Sequence, residues 1–381
     1  MPSKCRSVAI ANAAQPAFGD VRGAERHADH PLRMCGHSVL SGSRPVRRLR
    51  CVDEAAYRAA EQRMWSSIGL APSERVVAGI RVQEVGDGPP VLFVHGASNS
   101  GVSWATLVRD VAPSFRCIVV DRPGCGLSPK LSQRFDDVAG LRAFAASFVA
   151  GLLDALGLDR AHIVATSFGG LLALHSAAAT PEHVDRMALF GWSVGAPTSQ
   201  LPLVMRVASV PVLGRLMARL PVNERLVRAM MKRIGVTDPT DEVVACFTAL
   251  LRHTPTMHNE IEAGPRIMGL RGLNESILIP HETLRAITSP ALFLWGTADP
   301  FGGPEVARAF STNLPNATLE LIDGAGHAPW LDDPRRSADA VTSFFAETAA
   351  MRQKAGPSPP DQRSDTAPPH AADSAITRSR K

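Results

Sequence analysis

His162-Ile163-Val164-Ala165-Thr166-Ser167-Phe168-Gly169-Gly170 reads as an apolar strand, a sharp turn and the glycine-flanked start of a helix. A serine hydroxyl is a poor nucleophile until a neighbouring base takes its proton. A tight strand-to-helix turn lifts that hydroxyl above the sheet, where a base can reach it. The first turn of the helix then aims free backbone N–H groups at a developing oxyanion. Such a turn needs small residues two positions either side of the serine, because the strand and helix backbones approach closely there. Gly169 meets that need on one side. Ala165 stands on the other, one methyl larger than the glycine of the common G-x-S-x-G pattern. A serine at this place equally suits a helix cap, so the segment alone leaves both readings open.

On either side lie further short apolar runs bounded by turn residues, at 91–94, 117–120, 186–190, 291–295 and 318–322. Runs of that length suit strands buried on both faces of a parallel sheet. Helical periodicity fills most intervals, as over 136–156 and 171–179. Strand alternating with helix is the pattern of a mostly parallel α/β sheet with right-handed crossovers. Upstream, 53–68 has helical spacing, with Asp53 placed to cap its start and Gly69 its end. Residues 75–84 alternate Val76, Ala78, Ile80 and Val82 against polar neighbours, the pattern of one strand, and a turn follows at Gly86-Asp87-Gly88-Pro89-Pro90.

One interval breaks the rhythm. About a hundred residues separate Phe190 from Ala291 with helical periodicity and no strand signal. Residues 196–284 are therefore expected to form a helical cap inserted into the sheet. Within it, 201–234 is apolar with Arg206, Arg215, Arg219, Arg225, Arg228, Lys232 and Arg233 interleaved. Packing over the core is the preferred reading, because Arg and Lys stems commonly cover apolar surface, and contact with a membrane surface is the other. The expected domain plan is a disordered basic extension over 1–50, a preceding helix within 53–71, a core of 72–195 and 285–350 interrupted by the cap, and a Pro-rich disordered tail over 351–381.

Two more residues turn the serine into a site. Asp299 lies in Leu294-Trp295-Gly296-Thr297-Ala298-Asp299-Pro300, just past a buried strand, where a turn aspartate is also common. His327 lies in Asp323-Gly324-Ala325-Gly326-His327-Ala328-Pro329-Trp330, just past the last strand, and histidine suits general-base work near neutral pH. Each has a bland explanation alone. Together Ser167, Asp299 and His327 follow three expected strands in the chain order Ser…Asp…His, at the strand ends where open α/β sheets form their crevice.

On these residues the sequence resembles the α/β-hydrolase superfamily over about 72–349, especially its capped, esterase-like members. Val94-His95-Gly96-Ala97 is similar to the family's H-G loop, and Asp121-Arg122-Pro123-Gly124-Cys125-Gly126-Leu127-Ser128 to its D-x-x-G-x-G-x-S loop, which has a structural role near the site. The resemblance implies Ser167 as nucleophile, His327 as base and Asp299 as the residue that orients it. It also implies an oxyanion hole from the backbone N–H groups of Ala97 and Phe168. A serine at the elbow disfavours the dehalogenase and epoxide-hydrolase chemistries of this fold, which use aspartate there. The expected activity is hydrolysis of a carboxylic ester of a small or medium apolar substrate through an acyl-enzyme. The alternatives are carbon–carbon bond hydrolysis, aminopeptidase-like or cofactor-free haloperoxidase-type activity on the same triad, or a non-catalytic binding protein on this fold.

Composition bounds the rest. The chain has 381 residues and a formal net charge of +5. Residues 1–50 carry a surplus of six positive charges and 351–381 a surplus of three, which leaves 51–350 at −4. The basic balance belongs to the ends, so a nucleic-acid partner is not expected. Cys5, Cys35, Cys51, Cys117, Cys125 and Cys246 are scattered, as in a reduced, cytoplasmic protein, with no zinc pattern. His253 and His258 lack the H-E-x-x-H spacing, and no G-x-G-x-x-G or Gly-Lys-Ser/Thr loop follows a strand, so no metal and no cofactor are expected. Cys125 reads as a bystander thiol. Trp104, Trp192 and Trp330 suit either pocket lining or core packing. No uninterrupted apolar run reaches the roughly 18 residues of a membrane span. Residues 1–50 are rich in Arg, Ser and Ala. An extension, or a start codon placed too early, fits them better than an organelle transit peptide, since no clean amphipathic helix appears.

Overall fold

A computed structural model describes residues 52–130, 137–198 and 201–355. The expected extension over 1–50 lies outside the described residues, as does 356–381. Helix α1 (Glu54–Ser67) begins where the Asp53 carboxylate accepts from the Ala56 N–H at 3.0 Å, as its capping position predicted. Strands β1 (Ser73–Val77) and β2 (Ile80–Val85) form an antiparallel hairpin where the sequence pattern read as one strand. Ala78 and Gly79 have φ of 49° and 77°, the two-residue turn whose twist matches the flanking strands. The alternation runs unbroken through Ala78, and alanine rarely takes left-handed backbone, so Gly79 was the turn's one compositional mark and the alternation outweighed it.

The chain continues through β3 (Pro90–Val94), α2 (Ala105–Val111), β4 (Arg116–Val120), α3 (Val138–Leu156), β5 (Ala161–Thr166), α4 (Ser167–Ala179) and β6 (Val184–Ser193). Between β6 and the next strand of the main sheet come α5 (Leu203–Ala208), α6 (Pro211–Met217), α7 (Glu224–Arg233), α8 (Asp241–His253) and α9 (Thr256–Ile267). A two-residue ribbon follows, β7 (Met268–Gly269) with β8 (Gly272–Leu273), and then α10 (His281–Arg285). The sheet resumes with β9 (Ala291–Gly296), α11 (Pro304–Ser311), β10 (Ala317–Ile322), α12 (Pro329–Asp332) and α13 (Pro334–Ala355). The last helix thus runs five residues into the stretch expected to be tail.

The main sheet has eight strands in the order β1-β2-β4-β3-β5-β6-β9-β10. β2 is antiparallel to both its neighbours, and every pair from β4 to β10 is parallel. The parallel strands are covered on both sides. Leu92 and Val94 face a core shared with α3, α4, α10 and α11, whereas Val91 and Phe93 face one shared with α1, α2, α8 and α13. Two buried faces are why these strands read as continuous apolar runs. Helix α3 has the length and hydropathy of a membrane span. Arg142 and Asp154 interrupt its apolar run, so residue counting passed over it. Its Leu141, Ala145, Phe148, Val149, Leu152 and Leu153 pack into the core beside α4, which makes it a core helix.

The inserted helices divide in two. Helices α7 and α8 bury Val227, Met231, Val244, Leu250 and Leu251 in the same core as Tyr57, Met64 and Trp65 of α1. The Asp53 N–H also donates to the His253 carbonyl at 3.1 Å. Helix α5 buries no residue and α6 buries only Gly214. Packing over the core is thus extensive for α7 and α8, whereas α5 touches the core through half-buried Met205 and α6 buries little.

Candidate active site

Strand β5 ends at Thr166 with an extended φ of −142°, and Ser167 follows with φ of +52°. Left-handed backbone costs a residue with a Cβ about 1–2 kcal/mol, so this turn is held by its surroundings. The Ser167 carbonyl accepts from the Val194 N–H at 3.0 Å. Behind the turn the packing leaves no slack: a Cβ on Gly169 would lie 2.2 Å from the Val94 carbonyl oxygen, and one on Gly170 2.2 Å from Ser193 Oγ. Ala165 escapes this constraint. It is a strand residue paired with Val94 and Leu189, and its methyl is buried in the core, clear of the turn.

Asp299 and His327 follow β9 and β10. Asp299 Oδ2 accepts from His327 Nδ1 at 2.9 Å and from the Trp192 N–H at 2.8 Å, while Oδ1 accepts from the Phe301 N–H at 2.9 Å. A carboxylate oxygen accepts, so the contact places a ring proton on Nδ1, and among the described residues Nε2 makes no hydrogen bond. Strand β6 also approaches closely: Gly191 takes φ of +60° there, and a Cβ on it would meet the His327 carbonyl oxygen at 2.6 Å. The Phe301 ring packs edge-on against the imidazole at 4.5 Å and lies beside Trp192 at 5.4 Å. Asp299 and His327 are therefore brought together directly. Ser167 stands at the end of β5, one strand from β6, and its hydroxyl makes no hydrogen bond to His327.

The 95–97 loop closes on the serine from the other side. A Cβ on Gly96 would sit 3.0 Å from Ser167 Cβ. His95 is fully buried, with Nδ1 2.8 Å from the Gly96 carbonyl oxygen and Nε2 accepting from the Arg122 N–H at 2.9 Å. A carbonyl only accepts and an amide N–H only donates, which fixes the proton on Nδ1. Burial and the Arg122 charge push His95 well below the usual histidine range, so it stays neutral. Among the described residues the Ala97 N–H has no acceptor. The Phe168 N–H lies in the first turn of α4, where no intrahelical partner exists.

The Asp121–Ser128 segment braces this loop. The Asp121 carboxylate accepts from the Gly101 and Leu127 N–H groups at 2.7 and 2.9 Å and from Arg81 at 3.0 Å. Ser128 Oγ donates to the Asp121 carbonyl at 2.6 Å and accepts from the Arg81 N–H at 2.8 Å. The Arg122 guanidinium donates to the Gly96 carbonyl and to Glu260 of α9, both at 2.9 Å, and lies 4.4 Å over the Phe168 ring. Cys125 Sγ donates to Glu260 at 3.0 Å. Burial, with the Glu260 charge beside it, pushes the Cys125 thiol up, so it is a neutral donor. Trp104 and Trp330 belong to the core, 4.3 Å apart between ring centroids, and Trp192 belongs to the site by its backbone.

Sequence reasoning did not find Glu260, Ile234 or Asp332. The Ile234 carbonyl accepts from the His327 N–H at 2.7 Å, and Asp332 accepts from the Gly326 and Thr237 N–H groups at 2.9 and 3.4 Å. A backbone acceptor leaves no mark in composition. Asp332, close to His327 in the chain, could have been sought as an acid near the histidine loop, whereas Glu260 is remote from Arg122. Among the described residues no cluster of His, Cys, Asp and Glu has the arrangement of a metal site.

A mostly parallel sheet whose central strand ends in a left-handed serine, with an Asp–His pair after its last two strands, defines a hydrolase-type α/β scaffold. The family model described as alpha/beta hydrolase fold matches residues 89–334, and the chain belongs to that family. It is 30% identical over 285 residues to an uncharacterized protein of Mycobacterium tuberculosis, covering 72% of this chain and 81% of that one. It is 28% identical over 246 residues to a 2-hydroxy-6-oxononadienedioate/2-hydroxy-6-oxononatrienedioate hydrolase of Dechloromonas aromatica, covering 63% and 81%. In fold it is similar to a carboxylesterase of Bacillus subtilis, with a TM-score of 0.62, 19% identity, and coverage of 77% of this chain and 98% of that one.

Proposed function

We propose that the chain is a serine hydrolase acting on a carboxylic ester of a small or medium apolar substrate, with Ser167 as nucleophile, His327 as base and Asp299 as its orienting partner. The observation that carries this reading is the Asp299–His327 hydrogen bond of 2.9 Å, which commits Nδ1 and leaves Nε2 uncommitted at the same strand ends as Ser167. His327 Nε2 takes the hydroxyl proton as Ser167 Oγ attacks the ester carbonyl. The Ala97 and Phe168 N–H groups stabilise the oxyanion. The imidazolium then gives its proton to the departing alcohol, and water, deprotonated by the same nitrogen, releases the acid and frees Ser167. The missing Ser167–His327 bond is compatible with this, since such contacts often tighten only with substrate.

Carbon–carbon bond hydrolysis is the second reading, supported by the similarity to the Dechloromonas aromatica hydrolase. A dioate needs a free cation to bind its carboxylates. Arg122, the buried cation beside Gly96, is already matched by Glu260 at 2.9 Å, which favours the ester reading. The test is a fluorophosphonate probe followed by a panel of p-nitrophenyl esters. Wild-type labelling that disappears in Ser167→Ala, with turnover lowered by several orders of magnitude in His327→Ala, is the expected result. Labelling that persists in Ser167→Ala sinks the assignment of the nucleophile, and an unchanged rate in His327→Ala sinks that of the base.

A further inference from the structure

The described residues expose ten large apolar side chains, and six of them fall between Leu203 and Leu220: Leu203, Val204, Val212, Leu213, Leu216 and Leu220. Val212 is 72% and Leu203 68% exposed. They lie on α5, on α6 and just beyond it, the two inserted helices that bury almost nothing. Scattered exposed leucines are ordinary, but six within the span 203–220, on two helices that pack against each other, are concentrated enough to mark an interaction site.

Charge says which kind. Residues 201–234 hold seven Lys/Arg and one Glu, net +6, whereas the rest of 51–350 is net −10. From Leu201 to Asn223 there is no acid at all. Arg215 and Arg219, one helical turn apart, are exposed and flank Leu216 and Leu220, and among the described residues neither has an acidic partner. The aliphatic surface is thus set in the one strongly basic region of an otherwise acidic body. A second copy meeting it face to face would bring like charge to like. So would the 1–50 extension, itself net +6.

We infer that the α5–α6 surface docks on an anionic lipid bilayer, with Leu and Val side chains entering the headgroup–acyl boundary and Arg215 and Arg219 reaching the lipid phosphates. The inference rests on no assignment of the triad. Its position bears on substrate supply. Gly214 of α6 packs between α5 and α9: a Cβ there would meet the Ala208 carbonyl of α5 at 2.2 Å and Ile261 of α9 at 2.8 Å. The neighbouring Glu260 reaches Arg122 beside Gly96. The surface that meets lipid is therefore one helix layer from the candidate site.

The experiment is co-sedimentation of the full chain with vesicles of phosphatidylcholine, with and without about one-third phosphatidylserine. Binding to the anionic vesicles that weakens with salt is expected. Arg215→Ala with Arg219→Ala should lower the partition roughly thirtyfold, from two lost charges near the surface. Val212→Glu with Leu216→Glu should lower it roughly tenfold or more, since apolar insertion is lost and negative charge is added. These positions are exposed, so an unchanged unfolding temperature checks the fold of each variant. Absence of binding, or binding that both double variants leave intact, overturns the proposal, the latter by pointing to the basic extension. Self-association of the wild type that Val212→Glu with Leu216→Glu abolishes, without any vesicle binding, also overturns it in favour of a second copy.

Discussion

Replacing Gly326 by alanine puts a methyl into the tightest contact between the inserted segment and the histidine loop. The new Cβ would lie 2.4 Å from Gly235 Cα, 2.5 Å from the Ile234 carbonyl oxygen and 2.6 Å from Gly235 C. All three are backbone atoms, so no side-chain rotation relieves the clash. Ordinary van der Waals contact begins near 3.4 Å, so the two segments must separate by about 1 Å. The His327 N–H to Ile234 bond of 2.7 Å is one residue away and opens with them. Overpacking costs about 1–3 kcal/mol and the lost hydrogen bond about 1 kcal/mol, so the folded state loses about 2–4 kcal/mol. For a domain of about 300 residues that lowers Tm by roughly 3–6 °C.

The same displacement acts on His327, which is held by Asp299 at one nitrogen and by Ile234 at its backbone. A shift of about 1 Å in a reacting group costs on the order of a hundredfold in rate, so kcat for a p-nitrophenyl ester should fall by about that factor. Gly324→Ala is the control. It lies in the same loop with φ of +71°, and a Cβ there meets nothing within 4 Å, so it adds backbone strain without a clash. Gly326→Ala should lose clearly more Tm and more kcat than Gly324→Ala. Equal losses in the two variants would refute the reasoning, because the contact with Gly235 would then carry no weight.

Ser167→Gly should be more stable than Ser167→Ala by about 1 kcal/mol, since glycine removes the Cβ that a φ of +52° strains and alanine keeps it. Thermal unfolding of the two variants decides it, and an alanine form at least as stable contradicts a strained turn. Arg81, 3% exposed, is bonded to Glu61, Glu74 and Asp121. Arg81→Met leaves Glu61 and Asp121 buried without their counter-charge and should cost about 3–5 kcal/mol in urea unfolding, whereas a loss under about 1 kcal/mol would show the cluster to be dispensable. Burial raises Asp332 above the ordinary carboxylate range, against the Gly326 and Thr237 N–H donors that lower it. The folded state then holds the proton more tightly than the unfolded one, so this contribution is fully present below the ordinary carboxylate pKa and is lost as pH rises through the raised value. The stability of wild type relative to Asp332→Asn should accordingly fall as pH rises from about 4, and a difference that is flat with pH would show that Asp332 does not titrate there.

The residues legible in the sequence are those whose chemistry and chain position coincide. Ser167, Asp299 and His327 each follow an apolar run directly, so strand ends and reactive side chains could be read together. Ala165 was harder, because its departure from glycine mattered only if its methyl faced the turn, and it faces the core. The β1–β2 hairpin was hidden by Ala78, which continues the alternation while reversing the chain. The position of α5 and α6 was hidden for another reason. Their interleaved Leu, Val and Arg suit a core-covering face and a lipid-covering face equally, and only the packing separates them. The partners of the site's loops were invisible because they are remote or backbone: Arg122 meets Glu260 138 residues away, and Ile234 contributes only its carbonyl.

These remote contacts show how the insertion is built around the site. After α7, Ile234, Gly235 and Thr237 grip the loop that carries His327. From α9, Thr256 accepts from the Gly126 N–H at 2.9 Å, Asn259 donates to the Gly124 carbonyl at 2.7 Å, and Glu260 holds Arg122 against Gly96. One segment, 234–260, therefore touches the histidine loop at one end and the loop beside Ala97 at the other. It packs without slack at Gly235 and Gly326, so it cannot lift without disturbing the Asp299–His327 pair. Helices α5 and α6 bury one residue between them, and opening is cheapest where fewest apolar contacts are lost. The insertion thus has a fixed half that keeps the loops in register and a half with few buried residues that faces outward. The latter half is the aliphatic, basic surface inferred to meet lipid, so docking would act on the part of the insertion that moves at least cost and leave the loop carrying His327 in place.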